Sequence, residues 1–182
     1  IDLVMAGYGT VIGSHWPPVT PYYKDMTARF PYDPQKARAL LAKAGYPNGF
    51  SATIKLPAIY PYSQRAGEVI ADMLGQIGIK LKIEIVEWGF WLDRIFKQKE
   101  FELTMIGHAE AWDIGIYANP NYYFQFDSQE FREAYGKALK APNETEKAKW
   151  FGRCQEIIAE EAVNGFLFLS PALSAMKVEL MN

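Results

Sequence analysis

The sequence has little of what several classes of function require. It has one cysteine, Cys154, so it can form neither an intrachain disulfide nor a multi-cysteine metal site. No apolar run approaches the roughly 20 residues that a membrane-spanning helix needs. No Gly-rich phosphate-binding motif is present, and a net charge of −2 gives no electrostatic basis for binding nucleic acid. These absences argue that the chain is not a disulfide-stabilised, membrane-spanning, nucleotide-binding or nucleic-acid-binding protein.

Apolar and aromatic side chains are abundant. Hydrophobic residues make up 49% of the 182 residues, which is enough for a sizeable core. A charged fraction of 22% argues against disorder. With 5 Trp, 11 Tyr and 11 Phe, we expect some rings to line a binding site in addition to filling a core.

Residues 32–50 predict one helix with both of its ends marked. Asp33 can cap the first turn, and Pro34 can occupy the first helical position, where its missing N–H costs nothing. Gly45 can adopt the left-handed conformation after the last turn, and Pro47 prevents the helix from continuing. One apolar face is expected from Ala37, Leu40, Leu41 and Ala44.

The hydrophobic pattern behind this helix predicts a β-α-β-α-β order. Strands are expected at 51–56, 80–86 and 101–106, with helices at 65–77 and about 89–98, then helices at about 129–141 and 144–161 and a short strand at 165–169. Strands that alternate with helices indicate an α/β fold with a mostly parallel central sheet flanked by helices. Residues 1–31, rich in glycine and proline, are predicted to be irregular.

The third predicted strand leads into a 20-residue segment, 108–127, that has little regular pattern. In open α/β sheets, ligands bind beyond the carboxyl ends of the strands, and structureless loops of this length are often functional. The segment carries six aromatic residues: Trp112, Tyr117, Tyr122, Tyr123, Phe124 and Phe126. Two interpretations stay open, namely a ligand pocket lined by these rings and a loop folded onto its own aromatic core.

The charged residues in and around this loop are all acidic. Residues 100–131 include six carboxylates and no Lys or Arg, which favours a cationic or amine-bearing ligand. The six are Glu100, Glu102, Glu110, Asp113, Asp127 and Glu130. An alternative is a metal-dependent hydrolase using His108, Glu110 and Asp113, although the Cys pair that accompanies His-x-Glu in zinc deaminases is absent. No catalytic arrangement is well supported, so we expect a protein that is not an enzyme and needs no cofactor.

Residues 32–50 closely resemble the motif Y-D-P-x-K-A-x-x-L-L-x-x-A-G-Y-P-x-G-F of the extracellular solute-binding protein family 5. These are the peptide-, nickel- and sugar-binding receptors of ABC importers. Residues 66–88 and the Gly7-x-Gly9 stretch that precedes Pro17-Pro18 are also similar to the family. The resemblance implies a periplasmic-binding-protein-like (type II) fold.

The resemblance also implies a domain organisation and a function. Residues 1–182 would form a single C-terminal substrate-binding lobe of a two-lobe receptor, with an irregular segment at 1–31, an α/β core at 32–182 and the N-terminal lobe outside this chain. Such receptors close around a small solute, peptide-like or otherwise amine-bearing, and deliver it to ABC permease subunits. They are periplasmic, or extracellular with a lipid anchor in some relatives. A ligand-sensing receptor of the same architecture is an open alternative.

The candidate ligand contacts lie where the chain departs from the family pattern. Peptide-binding members carry a Trp and, three residues later, an Asp that pairs with the ligand's amino group, shortly before a Pro. Here Trp112 and Asp113 are adjacent, and counting back from Pro120 places Ile116 at the Asp position. Either Asp113 is displaced by a loop rearrangement or the amine clamp is absent. We expect ring contacts from Trp112 and Tyr117 and a polar or charge-assisted contact from Asp113, with His108, Tyr122 and Tyr123 as further candidates.

Overall fold

A computed structural model describes residues 1–109 and 112–171 of the chain. The strands are β1 (Thr10–Val11), β2 (Phe50–Pro57), β3 (Ile79–Val86), β4 (Leu103–Thr104) and β5 (Phe168–Leu169). The α-helices are α1 (Asp2–Met5), α2 (Pro34–Lys43), α3 (Pro61–Gly75), α4 (Trp88–Phe90), α5 (Gln129–Leu139) and α6 (Glu144–Glu160). A π-helical segment, Trp91–Lys97, continues α4, and Asp113–Ala118 forms a 3₁₀ helix.

The central sheet has the strand order β3-β2-β4, and both pairings are parallel. Ile54 in β2 lies opposite Ile83 in β3 and Leu103 in β4. The predicted β-α-β-α-β order and the parallel sheet are therefore confirmed. The third strand is shorter than predicted, because only Leu103 and Thr104 of residues 101–106 pair with β2.

Helix α2 has the predicted ends. The Asp33 carboxylate accepts a hydrogen bond of 2.9 Å from the Lys36 backbone N–H, and Gly45 has a φ of +93°. Its predicted apolar face is not part of the core: no residue of α2 is buried, and Leu40 is 56% exposed. Ala37 and Leu41 on this face are partly buried, and Ala44 is exposed.

Helix α3 packs on the sheet at a close approach. It begins at Pro61, because proline suits the first helical turn, and so it starts earlier than the predicted residue 65. Leu56 in β2 is fully buried against Gly67 in α3. A Cβ at position 67 would lie 2.4 Å from Leu56 Cδ1, so a larger residue there would force the buried Leu56 side chain to move.

The predicted helix at 89–98 is present, but most of it is π-helical. Gln98 N donates to Asp93 O, five residues back, at 3.1 Å. The wider turns still place Trp91 and Ile95 on one buried side, where they form a smaller core with Tyr123.

The larger core lies between α5, α6 and the 3₁₀ helix. Ser128 and Asn143 cap α5 and α6 through their side chains, and Asn143 Oδ1 accepts a hydrogen bond from Glu146 N at 2.9 Å. The buried residues of this core are Trp16, Ile114, Tyr117, Phe131, Ala134, Ala138, Phe151, Cys154, Ile157 and Ile158. The segment 1–31, predicted to be irregular, contains the short elements α1 and β1 and contributes Trp16 to this core.

The last predicted strand, 165–169, pairs only at Phe168–Leu169. It pairs antiparallel with β1, outside the central sheet. In the part of the chain that the structure describes, we find no helix that is long and apolar enough to cross a membrane.

Candidate ligand-binding site

The carboxyl ends of β2, β3 and β4 meet at one edge of the sheet, where open α/β folds bind ligands. The chain leaves β2 into Tyr60 and Tyr62, and it leaves β3 into Trp88. The Tyr60 ring centroid lies 5.5 Å from that of Tyr62 and 6.0 Å from that of Trp88. We call these three residues the strand-end wall. Trp88 in turn stacks on Trp91 at 5.1 Å, which connects the wall to the smaller core.

The residues of the strand-end wall were not predicted as ligand contacts from the sequence. The expectation that ligands bind beyond the carboxyl ends of parallel strands was applied to the third strand alone. The same expectation, applied to the residues that follow β2 and β3, would have selected Tyr60, Tyr62 and Trp88.

A cluster of polar side chains lies beyond β4. Asp113 Oδ1 is 2.5 Å from His15 Nε2, and Asp113 Oδ2 is 3.3 Å from His108 Nδ1. The outer ring nitrogens contact phenols: His108 Nε2 is 3.0 Å from the Tyr123 hydroxyl, and His15 Nδ1 is 3.5 Å from that of Tyr117. We call His15, Asp113 and His108 the His–Asp–His cluster. His15 comes from the segment before α2, so the cluster joins distant parts of the chain.

The cluster is partly shielded from solvent. The exposed fractions of the side chains are 6% for His15, 13% for Asp113 and 27% for His108. Burial alone would raise the pKa of Asp113, but the hydrogen bonds from His108 and His15 outweigh it and hold that pKa well below its usual value. Burial also raises the pKa of Tyr117 and of Tyr123. At neutral pH the carboxylate is therefore ionised and both phenols keep their protons.

Trp112 lies on the surface, with 63% of the residue exposed. Its ring is 6.1 Å from that of Trp16 and 6.0 Å from that of Tyr22, and the Tyr22 hydroxyl donates to Glu144 at 2.5 Å. Trp112 and Asp113, although adjacent, thus have different neighbours.

The remaining aromatic candidates are more enclosed. Tyr117 is buried in the larger core, and Tyr123 is buried in the smaller one. Tyr122 is partly buried, with its ring 5.0 Å from that of Tyr123 and 5.7 Å from that of Phe96. Much of the aromatic content of the loop therefore packs within this chain, and Trp112 is its exposed ring.

Most of the acidic residues around the loop have partners at the surface. Glu100 pairs with Arg94 at 3.3 Å, Asp127 with Arg132 at 2.5 Å and Glu130 with Arg153 at 2.6 Å, and Glu102 accepts from the Thr53 backbone N–H at 2.7 Å. Asp113 is the member of the set that lies in the cluster. Glu110 lies outside the described residues, and so does the part of the hydrolase hypothesis that depends on it. Residues 1–109 and 112–171 contain no group of three His, Cys, Asp or Glu side chains placed to hold a metal ion.

Two open clefts lie elsewhere on the molecule. One, of about 430 Å³, lies between residues 21–24 and α6, and the other, of about 530 Å³, lies where α5 and α6 meet. Neither is lined by the strand-end wall or by the His–Asp–His cluster.

Comparisons with known proteins place the chain among binding proteins. The model of the bacterial extracellular solute-binding proteins, family 5 Middle, matches residues 1–133. Heme-binding protein A of Haemophilus influenzae is 30% identical over 181 residues, covering 89% of this chain and 32% of that protein. The glutathione-binding protein GsiB of Escherichia coli is 29% identical over 179 residues, covering 89% and 35%.

A solved structure gives the fold. The ABC transporter-associated periplasmic binding protein DppA from Helicobacter pylori, in complex with the peptide STSA, superposes with a TM-score of 0.81 at 28% identity, covering 92% of this chain and 35% of that one. The fold is therefore the type II periplasmic-binding-protein fold. The chain spans about a third of the length of these relatives.

Proposed function

The chain belongs to family 5 of the bacterial extracellular solute-binding proteins, and from this premise we propose that it is the substrate-binding lobe of an ABC-importer receptor. A small solute, peptide-like or otherwise amine-bearing, binds between this lobe and an N-terminal lobe outside this chain. Closure of the lobes then presents the loaded receptor to the permease subunits, in the periplasm or at the cell exterior. The relatives are binding proteins by name, which supports binding without bond making.

The observation that carries the proposal is the composition of the strand-end edge. Three parallel strands end there beside the strand-end wall, and the chain that leaves the third strand carries the exposed Trp112 and two members of the partly exposed His–Asp–His cluster. Broad aromatic surfaces with a few oriented polar groups are typical of small-ligand sites. The ionised Asp113 carboxylate gives the cluster a negatively charged group, which favours a ligand with an ammonium group.

The test is ligand retention by the complete receptor. Native mass spectrometry of the receptor purified from its own organism should show a bound solute that contains an amino group or a peptide bond. Trp112→Ala should weaken the binding of that solute roughly fivefold or more, since an aromatic contact contributes about 1 kcal/mol beyond the area it buries. Phe30→Ala is the matched control, because Phe30 is 68% exposed and belongs to neither the strand-end wall nor the His–Asp–His cluster.

Two results would contradict the proposal. One is a receptor that retains no solute and binds no di- or tripeptide. The other is a Trp112→Ala variant that binds the solute as tightly as the Phe30→Ala control.

A further inference from the structure

The strand-end wall extends across the carboxyl ends of the three-stranded sheet. Tyr60 and Tyr62 follow β2, and Trp88 follows β3. Tyr62 also reaches the chain that leaves β4, because a Cβ added to Gly107 would lie 2.9 Å from the Tyr62 hydroxyl. The three aromatic residues therefore form one surface that touches the chain beyond each strand.

Contacts behind the wall hold Trp88 in place. Its ring stacks on that of Trp91 at 5.1 Å, with the two planes 8° apart. Trp91 is buried, and its Nε1 donates to Thr104 Oγ1 at 3.0 Å, while that hydroxyl donates to Lys55 O at 2.7 Å. The sheet and the smaller core thus support the wall, and a flat group that packs on it meets a preorganised surface.

The wall keeps part of its surface in solvent. Tyr60, Tyr62 and Trp88 are each partly exposed, and Ile59, which precedes Tyr60, is 48% exposed. Covering aromatic side chains buries large apolar areas, and offset or edge-to-face ring pairs are favourable beyond that area. An aromatic ring is therefore the kind of group that this surface binds best.

The charged residues beside the wall are unsuited to a ligand carboxylate. The segments that follow the three strands, 58–64, 87–91 and 105–109, contain no Lys or Arg and one carboxylate, Glu87. A buried anion needs a cation or several hydrogen-bond donors in place of its water. These segments supply no cationic side chain of the Lys or Arg type for that purpose.

The cations on either side of Tyr60 in the sequence are bound to backbone carbonyls. Lys55 Nζ donates to Glu100 O at 2.6 Å, and Arg65 Nε donates to Val4 O at 2.8 Å. A carboxylate that packed on the wall would therefore lose hydration without gaining a dedicated cationic partner, whereas an uncharged ring would lose only unfavourable contacts with water.

We propose that the strand-end wall is a subsite that receives an uncharged aromatic group of the ligand and excludes a carboxylate. Ring contacts with Tyr60, Tyr62 and Trp88 supply the affinity, and the lack of Lys and Arg in the surrounding segments supplies the selectivity. The inference rests on the proposed function and narrows its ligand class to an amine-bearing solute that also carries an uncharged aromatic ring.

The wall can be tested with probes that have no amino group. We suggest ¹³C NMR of the tyrosine rings in the complete receptor, with the Tyr60 and Tyr62 signals assigned by Tyr60→Phe and Tyr62→Phe. The probes are N-acetylphenylalaninamide, N-acetylphenylalanine, which has the same ring and a carboxylate, and N-acetylalaninamide, which has no ring. We expect the first probe to shift both signals at a concentration at which the other two do not.

Tyr32 provides an internal control for these signals. Its hydroxyl donates to Gln76 Oε1 at 2.8 Å, and Gln76 lies at the opposite end of the 15-residue helix α3 from Tyr60, about 20 Å away. Its signal should not move with any probe. Tyr60 and Tyr62 signals that N-acetylphenylalaninamide leaves unchanged, or that N-acetylphenylalanine shifts equally, would overturn the inference.

Binding of a complete ligand provides a second test. By calorimetry, the receptor should bind Ala-Phe-amide roughly tenfold more tightly than Ala-Ala-amide, as expected for burying a phenyl group. Tyr60→Ala should remove most of this difference and Tyr32→Ala none of it. The start of α3 does not need the Tyr60 ring, because Ser63 N–H and Oγ both donate to the Tyr60 carbonyl, at 2.9 and 2.7 Å.

The outcomes distinguish the two proposals. If the wild-type receptor binds neither amide, the peptide-like ligand of the proposed function is wrong, and the NMR measurement decides whether the wall binds an uncharged ring. If the wild type binds both amides with equal affinity, the proposed function stands and the inference is overturned.

Discussion

Replacing Gln155 by leucine should lower the free energy of unfolding by about 2–4 kcal/mol. Gln155 is fully buried on α6, where it connects the helix to the segment before α2. Its Nε2 donates to Tyr22 O at 2.7 Å and to Phe151 O at 3.2 Å, and its Oε1 accepts from Lys24 N at 3.3 Å. Leucine fills a similar volume but leaves the Tyr22 carbonyl and the Lys24 N–H without these partners.

The magnitude follows from these two backbone groups. Each buried group left unsatisfied costs about 1–3 kcal/mol. Phe151 O adds little, because it lies inside α6, where the helix's own ladder supplies a donor. The added apolar burial of leucine offsets part of the sum. The Lys24 contact is long, so the Tyr22 carbonyl should account for the larger share.

The assay is urea unfolding followed by tryptophan fluorescence. Gln129→Leu is the matched control, because Gln129 is exposed on α5 and its loss should change the free energy by no more than about 0.5 kcal/mol. A Gln155→Leu effect below about 1 kcal/mol, with an unchanged denaturant slope, would refute the reasoning. It would mean that Gln155 does not hold the segment to α6.

The effect should also extend to the candidate site. Tyr22 packs against Trp16 and Trp112, and His15 precedes Trp16. We therefore expect Gln155→Leu to accelerate amide hydrogen exchange in residues 15–24, with little change in β2 and β3. Exchange that increases equally in all of these segments would indicate global destabilisation only.

Three further predictions concern packing, reactivity and pH. Leu56→Ala should destabilise the fold by about 2–5 kcal/mol in denaturant unfolding, because Leu56 is fully buried, and an effect as small as that of the exposed Leu40→Ala would contradict the packing. Burial raises the pKa of the Cys154 thiol to about 12, so iodoacetamide at pH 8 should label it only after unfolding. The folded-state pKa of Asp113 is lowered, so its stabilising contribution is present above the unfolded pKa of about 3.9 and is lost as pH falls below it. The difference in unfolding free energy between wild type and Asp113→Asn should persist at pH 5 and shrink below about pH 4, and its disappearance by pH 5 would contradict the hydrogen bonds that Asp113 accepts from His15 and His108.

The elements that could be predicted are those with signals in a few neighbouring residues. Asp33, Pro34 and Gly45 define α2 because caps and turns involve groups only a few positions apart. The alternation in β3 is also local. The start of α3 was missed although Pro61 marks it, and the extents of β4 and β5 were missed because pairing depends on a partner strand.

The candidate site also combines features with local sequence signals and features that depend on distant parts of the chain. Sequence by itself determined the family and the β-α-β-α-β succession of elements, because periodicity, capping and a contiguous motif involve residues that are close together in the chain, whereas the 3₁₀ helix Asp113–Ala118 inside the segment 108–127 was not predicted. Tertiary structure alone decided that Tyr117 is buried and Trp112 exposed, since two rings in one loop differ only in what packs on them. It also decided that His15 meets Asp113 across 98 positions of the chain. Such a contact depends on how the segment before α2 packs against α6 and the 3₁₀ helix. That packing cannot be predicted from the pattern of neighbouring residues in the sequence.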